Sequence, residues 1–218
     1  MQRGEVCVAA IDLQSLSIVR PLQWNHRNWP VALTEQGLHP RRIVSQRIRT
    51  EQNHKGYPHQ TEDTQLSDTL TFGGAIDDAE FYATLAPVAD PSIDDLFAGN
   101  LVDGKYVVAG TRCRSLGSVL IQSDTMSLYA GYSRKLRVSF VDADTRYDIP
   151  VTDLSVLRAA EQGRVEEIKN RIEGFARAGK KAILRVGLAR AWDGGDGQYE
   201  PMGAISNSTV SSSQRKAH

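Results

Sequence analysis

Arg137, Arg146 and Arg185 in the second half of the chain, with Tyr132 and Tyr199, are residue types suited to contact with a phosphodiester strand. A guanidinium presents paired donors to phosphate oxygens, and a phenol ring offers a flat face for a base, at roughly 1–3 kcal/mol per stacked base. Arg20, Trp24 and Trp29 form an analogous set in the first half. Two plainer readings stand beside these. Arginines on strands also make ordinary solvated faces, and tryptophans beside a proline, here Pro30, also serve as core packing.

A second cluster has a different potential. His59, Gln60 and Glu62 stand close together in a polar stretch. A histidine with a carboxylate nearby can act as a base and its orienter, so His59 and Glu62 are the candidate catalytic pair. They could also ligate a metal, but no other cluster supplies the remaining ligands, and neither a metal nor a cofactor is expected. A loop histidine making structural hydrogen bonds explains the same residues. The chain contains no phosphate-binding P-loop, no Gly-x-Gly-x-x-Gly, no His-Glu-x-x-His and no Gly-x-Ser-x-Gly. Gly194-Gly195-Asp196-Gly197 reads as a turn between strands.

These residues must be held by a fold, and composition allows one. The chain has 218 residues, 40% hydrophobic and 24% charged, enough for a packed core in one large or two small domains. Formal net charge is zero, which argues against indiscriminate binding to polyanions. The distribution is uneven: residues 20–55 are mostly basic, whereas residues 62–103 hold no Lys or Arg and carry Asp77, Asp78, Glu80, Asp90, Asp94, Asp95 and Asp103. That acidic stretch either neutralises the basic parts within the fold or covers one basic surface and leaves another open. No run approaches the roughly 20 apolar residues of a membrane span, and residues 1–11 lack a leader pattern. A soluble, cytoplasmic chain is therefore expected. Cys7 and Cys113 fit no zinc or redox spacing, and the apolar run around Cys7 predicts a buried thiol, with no disulfide in an intracellular setting.

Periodicity supplies the elements. Residues 6–11 and 17–19 predict a hairpin closed by Arg20-Pro21, and residues 42–48 a third strand. Residues 77–85 and 90–98 predict two short helices, the second started by Asp90-Pro91. A strand follows at 118–122, with 127–130 as a candidate for another. Residues 135–141 alternate, with Leu136, Val138 and Phe140 on one face and Arg137 and Ser139 on the other. A turn at 142–145 and a strand at 146–150, Tyr147 and Ile149 inward, complete a hairpin. A helical period then runs through Leu157, Ala160, Val165, Ile168, Ile172 and Phe175, with Gly163 as a break and Gly179 as a stop. Strands at 182–188 and 198–205 close the pattern, and residues 206–218 predict a polar, disordered tail. Arg137 and Arg185 should point away from the core.

Three strands, a helix and two further strands is the order of an OB-fold, a five-stranded barrel with a helix between its third and fourth strands. Particular residues agree. Cys7-Val8-Ala9-Ala10-Ile11-Asp12, Ile18-Val19-Arg20-Pro21, His59-Gln60-Thr61-Glu62-Asp63, Arg137-Val138-Ser139-Phe140 with Arg146-Tyr147, Val151-Thr152-Asp153 and Leu184-Arg185-Val186-Gly187-Leu188 occur in this order. Together with residues 199–205, the series resembles the dual OB-containing domain family of bacterial and phage proteins. Asp63 stands where that family favours Asn, and Ala10 where Gly is common.

The resemblance implies a mainly β chain with helices (α+β) and two OB-like five-stranded barrels: 1–103 with an acidic helical insertion, 104–205, and a tail at 206–218. It implies nucleic-acid or nucleotide binding, as an accessory or sensor component of a bacterial defence or nucleic-acid-modification system. Binding is favoured over catalysis, with a single strand or nucleotide as partner through Arg20, Trp24, Arg137, Arg146, Arg185, Tyr132 and Tyr199. An enzyme working through His59 and Glu62, or a protein-interaction module docking a partner on the acidic segment, are the alternatives.

Overall fold

The computed structural model describes residues 4–23, 25, 27–45, 61–66, 70–108, 110–131 and 135–188, and the backbone of 199–207. The first half holds β1 (Glu5–Val6), β2 (Ala10–Asp12), β3 (Ser17–Leu22), β4 (Trp29–Pro30), α1 (Leu33–Gln36), β5 (Arg42–Ser45), β6 (Asp63–Gln65) and β7 (Thr71–Ala75). Then come α2 (Asp78–Leu85), α3 (Ile93–Leu96), β8 (Leu101–Val102) and β9 (Tyr106–Val108). The second half holds β10 (Leu116–Gln122), β11 (Ser127–Ala130), β12 (Leu136–Asp142), β13 (Thr145–Pro150), α4 (Leu154–Glu161), α5 (Val165–Arg177), β14 (Lys181–Leu188) and β15 (Tyr199–Asn207).

The first half forms small separate sheets among the described residues: β2-β3-β6, with β3 and β6 parallel, and the pairs β1-β4 and β5-β7. The second half is larger. A five-stranded sheet runs β10-β14-β15-β9-β8, and a three-stranded sheet runs β11-β12-β13. Only a one-turn 3-10 segment, Ser123–Thr125, separates β10 from β11. Counted as one bent strand, they restore the order of three strands, helices and two strands expected from the sequence. This bent strand pairs with β14 at one end and β12 at the other, so it joins the two sheets.

The closed five-stranded barrels expected from the sequence are not formed by the described residues. A barrel would need a ladder between β13 and β15, and none joins them there. β15 instead pairs through its Tyr199–Pro201 backbone with β9 and through residues 202–207 with β14.

Local chemistry explains most of the element ends. The Asp77 side chain accepts from the Glu80 N–H and starts α2. Asp90 does not cap the next helix as expected. Its backbone bridges Val119 instead, and Ser92 caps α3 by accepting from the Asp95 N–H while its hydroxyl donates to the Asp95 carboxylate. Asp153 caps α4 through the N–H groups of Ser155 and Val156. Gly163 separates α4 from α5 with φ +74°. The β12–β13 turn places Ala143 and Asp144 at φ 45° and 66°, the left-handed pair that a two-residue hairpin demands.

One apolar core serves both sheets of the second half. Val138, Phe140, Tyr147 and Ile149 meet Val119, Ile121, Leu184 and Val186. Phe140 and Tyr147 are cross-strand partners whose rings stack with centroids 5.5 Å apart. Ile93, Leu96 and Phe97 from the acidic segment belong to the same core, and Ile168 and Ile172 of α5 pack against it from the face that the sequence predicts. Leu96 presses on β10 at Gly117, where a Cβ would lie 2.0 Å from the Leu96 Cδ1. Leu96 is itself 1% exposed, so it has no room to retreat. Gly117→Ala should therefore cost about 1–3 kcal/mol in urea unfolding, whereas an unchanged midpoint would show that α3 yields freely.

Candidate nucleic-acid interface

The three-stranded sheet sorts its side chains by parity. Leu128, Leu136, Val138, Phe140, Tyr147 and Ile149 enter the core. The alternate positions, Tyr129 on β11, Arg137 and Val141 on β12, and Arg146 and Asp148 on β13, must then face outward. Cross-strand register brings them together: Tyr129 opposes Arg137, and Val141 opposes Arg146. Ser139 opposes Asp148 on the same face.

The contacts converge on Asp148. The Tyr129 hydroxyl donates to Asp148 Oδ2 at 2.7 Å, and Arg137 Nε donates to Oδ1 at 2.9 Å. Arg137 Nη2 donates to the Asp148 backbone carbonyl at 2.6 Å. The phenol thus reaches across β12 and the guanidinium from β12 to β13, and Ser139 is buried although it lies on the outer face. Gly131 leaves space for the arginine stem; a Cβ there would fall 2.8 Å from Arg137 Cδ. Arg146 and Lys135 are exposed, and so is Val141 beside Arg146.

Electrostatics keep this face charged. Burial works against the Asp148 carboxylate, but the hydrogen bonds from Tyr129 and Arg137 outweigh it and hold Asp148 below the usual range. The bond to Asp148 pushes the Tyr129 phenol up, and the same carboxylate pushes Arg137 up. A depressed carboxylate stabilises the fold above its unfolded value of about 3.9. That contribution disappears only as pH falls through the lower folded value, so the bridge is intact at neutral pH.

The other residues singled out in the sequence have different surroundings. Arg185 is half-buried rather than open to solvent: its Nη1 donates to the Ala9 carbonyl at 2.6 Å, and burial lowers its pKa to about 10. The N-terminal segment covers that part of β14. Arg20 is not free either. It pairs with Glu62 at 2.7 Å and Asp63 at 2.5 Å and donates to Ser115 Oγ at 2.6 Å. Glu62 is 5% exposed and also accepts from the Ser115 N–H and hydroxyl. Burial pushes the Glu62 carboxyl up, with Arg20 and Ser115 pulling the other way. Ser115 in turn accepts from the Leu188 N–H, so this cluster fastens the β3-β6 sheet to the strands of the second half.

Trp29 is core, with its indole N–H donating to the Pro21 carbonyl at 2.9 Å. Cys7 is exposed rather than buried, because it lies in an irregular stretch between β1 and β2. Trp24, His59, Gln60 and Tyr132, the glycine turn at 194–197 and the tail from 208 lie outside the described residues, and Tyr199 is described by its backbone alone. The acidic segment spends several of its charges inside the chain: Asp78 pairs with Arg41 and Arg171, and Asp90 with Arg114. Those pairs favour the neutralising reading of its charge.

The model of the dual OB-containing domain matches residues 1–203. The chain belongs to the dual OB-containing domain family. No curated protein and no solved structure matches it significantly. OB-folds commonly bind oligonucleotides on one sheet face, so dual OB-containing membership suggests nucleic-acid binding. No helix among the described residues is long and apolar enough to cross a membrane.

Sequence reasoning missed Tyr129, Lys135 and Asp148. Their signal was parity: Leu128 and Ile149 are inward, so Tyr129 and Asp148 must be outward. The Arg20 cluster, by contrast, is a structural assembly. Removing one partner from a buried ion network leaves the other charge unpaired. Arg20→Ala should cost about 3–5 kcal/mol in chemical denaturation, and Glu62→Gln less, since the amide still accepts from Ser115. A loss under about 1 kcal/mol for Arg20→Ala would show a solvated pair instead.

Proposed function

We propose that the outer face of β11-β12-β13 binds single-stranded nucleic acid, with Arg137 and Arg146 on phosphates and Tyr129 as a stacking surface. One observation carries the reading: two guanidiniums and a phenol share one outward face of the second OB-like unit, backed by a packed core. Of the cations named from sequence, Arg20 and Arg185 are taken up by contacts between the two halves. Arg137 and Arg146 remain within reach of a ligand. Lys135 extends the cationic stripe along β12. Net charge zero suits such a local patch, because a polyanion would meet positive potential here and not over the whole surface. As an accessory or sensor component, the chain would recognise strands on which other proteins act.

Anisotropy titration with a labelled single strand at two salt concentrations tests this. Log Kobs should fall with log salt at a slope near −2, from about two to three phosphate contacts. Arg137→Ala and Arg146→Ala should each weaken binding and flatten the slope by about 0.7. Tyr129→Ala should cost about 1–3 kcal/mol, and Tyr129→Phe much less, because the ring is kept. Salt-independent binding, or affinity unchanged in all four variants, would overturn the assignment.

A further inference from the structure

We propose that Asp148 occupies the position of a nucleic-acid phosphate on this face, so that a strand binds by displacing a carboxylate of the protein itself. The proposal rests on the reading of the β11-β12-β13 face given above and adds a specificity-determining residue to it. Asp148 makes the contacts a phosphate would make. Its two carboxylate oxygens take one bond from the Tyr129 phenol and one from the Arg137 guanidinium. A guanidinium donates to carboxylate and phosphate oxygens alike.

The exchange is physically easy. The Arg137 and Asp148 side chains are 33% and 44% exposed, so the pair stands in water and holds little net stability. Asp148 has no part in the core, and once released its carboxylate can hydrate. While in place, it does two things. It holds the phenol and guanidinium in one arrangement before a strand arrives, which reduces the ordering that binding requires. It also sets a negative charge against every approaching polyanion, leaving Arg146 and Lys135 as the first cations a strand meets. A strand that engages several sites at once can displace it, whereas a single phosphate group gains too little. This accounts for a cationic face whose central arginine is nevertheless neutralised.

The test compares wild-type protein with Asp148→Asn and Asp148→Ala, using labelled oligo-dT and oligo-U of about a dozen nucleotides. Asparagine keeps the shape and one of the two acceptor oxygens and removes the charge; alanine removes the whole group. Asp148→Asn should bind about 3–10-fold more tightly, and its salt slope should steepen, because no displaced carboxylate is left to gather counterions when Arg137 takes the phosphate. Asp148→Ala should show the steeper slope even where loss of positioning offsets the gain in affinity. The two probes separate DNA from RNA, and tightening on either supports the proposal. Melting temperatures of both variants should stay within a few degrees of wild type. Unchanged or weaker binding by Asp148→Asn, with an unchanged slope, would overturn the displacement while leaving wild-type binding intact. If the wild type binds neither probe, the binding reading itself falls, and the displacement with it.

Discussion

The arrangement depends on one constraint: three antiparallel strands must bury every second side chain against a single core. Once Val138, Phe140, Tyr147 and Ile149 are inside, no freedom remains about which residues face out. A slip of β12 by one residue against β13 would turn Arg137 inward and Phe140 outward. The stacked Phe140–Tyr147 pair and the tight turn at Ala143 and Asp144 fix the register at both levels. The charged face is therefore a consequence of core packing, and its rigidity comes from the same source.

The two groups of arginines named from sequence divide by what covers them. Arg20 and Arg185 lie where the N-terminal half meets the second half: Arg20 pairs with Glu62 and Asp63, and Arg185 donates to the Ala9 carbonyl. Arg137 and Arg146 lie on the β11-β12-β13 sheet, where Arg137 pairs with Asp148 and Arg146 is exposed. In a buried ion cluster of the Arg20 kind, desolvation offsets much of the attraction between the charges. An exposed bridge of the Asp148 kind loses little when broken. The same residue type thus serves as a fastener in one place and as a contact surface in the other.

Much of this was legible in the sequence. Alternation over residues 135–141, the turn at 142–145 and the helical stripe ending at Gly179 are local signals, and each appears in the structure where its period places it. What could not be read depends on distance along the chain. Arg185 has the expected strand, yet its partner carbonyl belongs to Ala9, 176 residues away. Arg20 finds Ser115 across 95 residues. Whether β13 and β15 pair is likewise a contact between distant strands, which no period within either strand encodes. Tyr129 finds its partner Asp148 across 19 residues and two strands, a contact that the period of neither strand announces.

The central claim is that the outer face of β11-β12-β13 is where a strand lies, and amide chemical-shift mapping by NMR with unlabelled oligo-dT tests it most directly. The account predicts perturbed amides along Ser127–Ala130, Leu136–Asp142 and Thr145–Pro150, with those of β3 and β6 unmoved. Perturbations confined to the Arg20–Glu62 junction or to α2, with the three-stranded sheet silent, would contradict it.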